Sequence, residues 1–75
     1  MVKVIDSDHP AYGMTGEVFY SERIETTNRT IYTVVIKGYD NCKKIGYTDE
    51  FIKKTNLDEI GFCCHLTDEK FKKIE

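Results

Sequence analysis

Tryptophan is absent from this chain, proline occurs once and cysteine three times. Each shortage excludes something. An odd number of cysteines (Cys42, Cys63, Cys64) without an export signal argues against a disulfide framework. No apolar run approaches the ~20 residues that cross a bilayer. No basic stretch leading into an apolar one opens the chain, so no signal peptide is expected and the setting expected is the cytoplasm of a cell or host cell. Excess positive charge is missing too. The net charge is −2, and Lys3, Arg23 and Arg29 are the only basic groups among residues 1–36, against five acidic ones. Tight, sequence-blind nucleic-acid binding usually leaves a basic footprint, and this chain has none globally. Phosphate-cradling loops, dinucleotide fingerprints, nucleophile elbows and C-x-x-C knuckles are also lacking.

What is present suits one small domain of 75 residues. A chain this short buries only about 60% of the surface it exposes unfolded, so its core is thin. Hydrophobic residues make up 40% of it, too many Ile, Val, Phe and Tyr for a disordered chain. Val2-Lys3-Val4 alternates as a half-buried strand does. Asp6-Ser7-Asp8-His9-Pro10 breaks that pattern. A second strand is expected from about Gly16 to Glu22, with Val18 and Tyr20 on one face and Glu17, Phe19 and Ser21 on the other. Glu22 to Arg29 reads as a long polar hairpin loop with Asn28 near its tip. Ile31 to Lys37, nearly all β-branched or aromatic, predicts a central strand covered on both faces.

Gly38 to Asn41 has turn chemistry, and Cys42 to Tyr47 reads as a fourth strand with Gly46 at a bulge. Thr48 is a good N-cap, so Thr48 to Lys54 predicts one helical turn held by Phe51 and Ile52. A short strand follows from Ile60, with Phe62, Cys64 and Leu66 inward and Cys63 and His65 outward. Thr67-Asp68-Glu69 repeats the capping phrase, and Phe71 and Ile74 fall on one face of a short C-terminal helix. Four or five short strands with tight turns suggest an all-β fold, a small barrel or sandwich.

Val2-Lys3-Val4, then Gly13-Met14-Thr15-Gly16-Glu17-Val18, then the strand from Thr30 to Ile36, resemble the KOW type of SH3-like barrel over residues 2–37. The resemblance implies a small SH3-like barrel of about five strands with short helical turns. It also implies binding of RNA, ribosomal components or transcription machinery through the Gly13–Gly16 turn and neighbouring loops. Tyr12 stands where family members often carry Lys or Arg before the first glycine, which favours stacking or protein contact over phosphate binding.

The candidate binding residues are therefore Tyr12, Gly13, Met14 and Gly16 at the turn, with Tyr39, Lys37, Lys43 and Lys44 as an aromatic and basic cluster. Asp6, Asp8 and His9 have metal-ligand chemistry, but Asp and Ser before Pro usually bond their own backbone. Cys63 and His65 could share a strand face, yet no orienting third group or oxyanion site accompanies them. No catalytic, metal or cofactor site is expected. The function expected is a non-catalytic binding module with a protein partner: an adaptor or small inhibitor of the kind phages and mobile elements encode. The alternative is a KOW-like module that binds RNA or DNA. The charge balance ranks protein interaction ahead.

Overall fold

The computed structural model describes residues 1–74. Its first strand, β1 (Val2–Val4), buries both valines and exposes the lysine between them. The chain then turns through Asp6 to Met14 and returns as β2 (Thr15–Ile24). The turn is closed by Gly13 donating to the Val4 carbonyl at 3.0 Å and Val4 donating to the Met14 carbonyl at 2.9 Å. Asp6 and His9 give side-chain atoms to this turn: Asp8 N–H donates to Asp6 Oδ1, and Ala11 N–H donates to His9 Nδ1, both at 3.0 Å. These bonds are the turn chemistry expected for an Asp-Ser-Asp-His-Pro stretch.

The loop between the strands is shorter than expected, four residues from Glu25 to Asn28, because strand pairing extends into the polar segment at both ends. β2 runs on to Ile24 and β3 (Arg29–Ile36) starts at once after a tight turn, with Asn28 at φ 56° and its N–H on the Glu25 carbonyl. Asn tolerates that left-handed geometry better than most residues. Once two strands are in register, pairing along the hairpin overrides the weak strand preference of Glu22.

The largest departure from the sequence reading lies at Cys42–Tyr47, expected as a strand, where Cys42 to Ile45 is helical. Helix α1 spans Tyr39–Ile45. Ile45 and Tyr47 mimic strand alternation, but the spacing that decides is Cys42 to Ile45, three apart, which puts both against the core. Gly46 ends the helix, its N–H reaching the Cys42 and Lys43 carbonyls, and is no bulge. Helix α2 (Asp49–Thr55) follows with Thr48 as its N-cap, Phe51 N–H donating to Thr48 Oγ1 at 3.2 Å. A single further turn, α3 (Leu57–Ile60), leads into β4 (Phe62–Leu66).

The C-terminal helix is not formed. Thr67 leads into a short 3-10 helix, Asp68–Lys70, and Phe71–Lys73 pairs with β1 as β5. An isolated helix of this length is marginal, whereas as a strand the segment satisfies the free edge of β1. It also brings Phe71 edge-on to Tyr32, ring centroids 5.1 Å apart.

The five strands form one antiparallel sheet in the order β4-β3-β2-β1-β5, with β4 and β5 at its unjoined ends. The fold is thus β-rich with short helices, and the sheet is open. Val34, Ile36, Cys64 and Leu66 line its inner face and share a single buried cluster with Val4, Cys42, Ile52 and Leu57. Cys63 and Cys64 point opposite ways as expected, the first exposed and the second buried. Burial raises the pKa of the Cys42 and Cys64 thiols, which favours their protonated form.

Candidate interaction surface

The outer face of the sheet can be written as rows across the strands. Glu17, Val35 and Cys63 form one row, because Glu17 pairs with Val35 and Val35 with Cys63. Tyr20, Thr33 and His65 form the next. Thr33 Oγ1 lies 3.2 Å from His65 Nδ1, so the two side chains share that face. Beyond Val35, Lys37 emerges beside Gly61.

A β-bulge shapes this surface. Register in the β2–β3 pair shifts between Val18 and Tyr20: Val18 opposes Val34, Tyr20 opposes Thr33, and Phe19 has no partner. A bulge inserts one residue and so breaks side-chain alternation. Phe19 and Tyr20, expected on opposite faces, therefore both project outward. Phe19 is 78% exposed, the most exposed large apolar side chain among the described residues.

The bulge borders a groove of about 460 Å³ lined by Phe19, Val18, Val35, Ile60 and Met1, with Glu17 and Lys37 among its polar groups. Gly61 lets the chain before β4 pass tightly against β3, since a Cβ there would lie 2.7 Å from Val35 Cγ1. β3 therefore departs from its expected burial. Val34 and Ile36 are buried on the inner face, but Val35 on the outer face is only half-buried. An apolar strand of this kind normally has both faces covered, and here one stays open.

The residues singled out in the sequence fall in three places. Met14 is 5% exposed and belongs to the core, so it offers no surface contact. Gly16 is buried because β3 passes close, a Cβ there lying 2.5 Å from the Val35 carbonyl oxygen, yet its backbone lines the groove together with Lys37. Tyr12 and Gly13 stand exposed on the turn, where Gly13 adopts φ 84°. Tyr39, Lys43 and Lys44 sit on α1 instead of on a loop and a strand. There the Tyr39 hydroxyl donates to Asp49 Oδ1, and Lys43 Nζ lies 3.0 Å from the same oxygen. The Tyr39 hydrogen bond, followed by the Lys43 ammonium, holds the Asp49 carboxyl below its ordinary pKa, and the bond to Asp49 raises the Tyr39 phenol. The expected basic cluster is therefore partly neutralised by its own neighbours.

Phe19, Val35 and Ile60 went unmarked in the sequence reading. The available signal was the apolarity of β3 on both faces in a chain too small to cover both. The bulge itself has no sequence signature here. Among the described residues, no helix is long and apolar enough to cross a membrane. The chain has no significant match among protein-family models, curated proteins or solved structures.

Proposed function

We propose that this chain is a non-catalytic protein-binding module, an adaptor or small inhibitor, and that it docks its partner on the outer face of β2 and β3. The observation that carries this reading is the β-bulge that turns both Phe19 and Tyr20 to the outer face, with Phe19 against the Val35–Ile60 groove. Exposed apolar patches beside a concavity commonly mark interaction sites, and aromatic side chains dominate binding energy at interfaces.

We also read the sheet as an open relative of the SH3-like barrel. Three features support this: β2 pairs with β1 at its start and with β3 along its length, the strand order is β4-β3-β2-β1-β5, and a 3-10 turn precedes the last strand. Nucleic-acid binding, the KOW-like alternative, has less support. Lys43 is paired with Asp49, and acidic Asp40 and Asp49 lie on or beside the helix that carries Tyr39 and Lys44.

The test is affinity capture with three tagged baits from a lysate that also contains the untagged chain. The wild type and Tyr12→Ala recover the same stoichiometric protein, and Phe19→Asp loses it. Equal recovery by Phe19→Asp would overturn the placement of the surface. Titration with short RNA and DNA gives no salt-dependent binding; tight binding that weakens steeply with salt would restore the nucleic-acid reading.

A further inference from the structure

The groove is complementary to itself. Phe19 is both the most protruding apolar side chain of this face and part of the groove wall. Knob and hole thus belong to one patch. The two charged groups of the lining are of opposite sign, Glu17 and Lys37. They flank Val35: Glu17 stands directly across from it on β2, and Lys37 follows two residues later along the chain. Neither takes part in an ion pair among the described residues, where the salt bridges are Arg29–Glu69, Lys43–Asp49 and Lys70–Asp6.

We infer that the occupant of this groove is a second copy of the chain, packed face to face about a two-fold axis passing near Val35. This rests on the reading of the outer face as a protein-docking surface and names its partner. A two-fold rotation about Val35 brings Glu17 of one copy toward Lys37 of the other, twice. It sets each Phe19 over the groove floor of the opposite copy. Because the same patch serves both sides, the contact is isologous and closes at two subunits, whereas a knob and hole on separate patches would propagate into a filament. The same packing covers the half-buried outer face of β3. The charge pattern favours a like copy over a strongly acidic or basic partner, since either would leave one of Glu17 and Lys37 facing a like charge.

Sedimentation equilibrium on the full chain, from micromolar to millimolar concentration at low salt, tests this. The mass rises from one chain of 8.7 kDa to two and stops there. Phe19→Ser stays monomeric, with an unchanged circular dichroism spectrum and, at concentrations where the wild type is also monomeric, an unchanged melting curve, because the side chain is exposed. Glu17→Lys alone and Lys37→Glu alone each weaken association about tenfold, since each replaces two symmetric rim attractions by repulsions. The double exchange, Glu17→Lys with Lys37→Glu, restores it. A wild type that stays monomeric throughout overturns the second copy as occupant, as does a dimer indifferent to Phe19→Ser or a double exchange that fails to recover. Growth beyond two subunits overturns the closed two-fold arrangement. The docking surface itself is judged separately by the lysate capture: a monomer that still captures a protein through Phe19 refutes only the second copy.

Discussion

A methyl group at Gly61 would sit 2.7 Å from Val35 Cγ1 and 2.9 Å from the Ile36 carbonyl oxygen, on a residue held at φ 84°. Side chain and backbone geometry both exclude it, so Gly61→Ala is expected to destabilise the fold by about 1–3 kcal/mol, seen as a lower urea midpoint at unchanged slope. Thr48 is a simpler case. Its hydroxyl caps α2 through the Phe51 N–H, and Thr48→Ala should cost about 1 kcal/mol in the same assay. The Thr48 cap could be read from the sequence, because a cap depends on residues within one turn of each other. The need for glycine at position 61 could not, because the atoms that forbid a side chain there belong to Val35 and Ile36.

At the scale of elements, the β2–β3 hairpin separates an inner from an outer role along one strand. Ile36 is fully buried, and Ile36→Ala should lose about 2–5 kcal/mol by thermal or urea unfolding. Phe19→Ser, at the exposed bulge, should change stability by no more than about 0.5 kcal/mol. A large loss on Phe19→Ser would place that side chain in the core and remove the docking surface. Strands β1, β3 and β4 and helix α2 were legible, since their alternation or capping is local. The segment that became α1 was misleading: Cys42, Ile45 and Tyr47 satisfy both a strand and a helix pattern in part. The last strand was misleading in a different way. Thr67-Asp68-Glu69 does start a helical turn, but Phe71–Lys73 pairs with the edge of β1 and the turn goes no further.

At the scale of the whole molecule, two side-chain ion pairs tie remote parts of the chain together. Lys70 Nζ lies 3.0 Å from Asp6 Oδ2, joining the 3-10 turn before β5 to the turn after β1. Arg29 and Glu69 link β3 to the same 3-10 turn at 3.0 Å. Asp6 is held below its ordinary pKa chiefly by the Lys70 hydrogen bond, and Glu69 chiefly by the Thr67 hydroxyl; Asp49 is lowered as well. A carboxyl whose pKa is lower folded than unfolded adds stability above the ordinary carboxylate range, and that stability is lost as pH falls through the folded value. The melting temperature should therefore be level near neutrality and fall on acidification below the ordinary carboxylate pKa. Lys70→Met should shrink that fall, and added salt should shrink it further, because these charges are at least partly open to solvent and so screened. An acid-side fall unaltered by Lys70→Met would assign the pH dependence elsewhere.

The sequence by itself determined that β1, the start of β2, β3 and β4 are strands, where the chain turns at Asp6–Pro10 and Asn28, where α2 begins, and which of Cys63 and Cys64 faces inward. Each of these depends on neighbours within a few residues, through alternation, capping and turn chemistry. Only the tertiary structure decided that Met14 is core, that Lys43 is neutralised by Asp49, that β5 completes the sheet, and that a bulge turns Phe19 and Tyr20 to the same side. Those outcomes rest on register and on contacts between distant segments, and a one-residue slip in register changes the face of every side chain that follows.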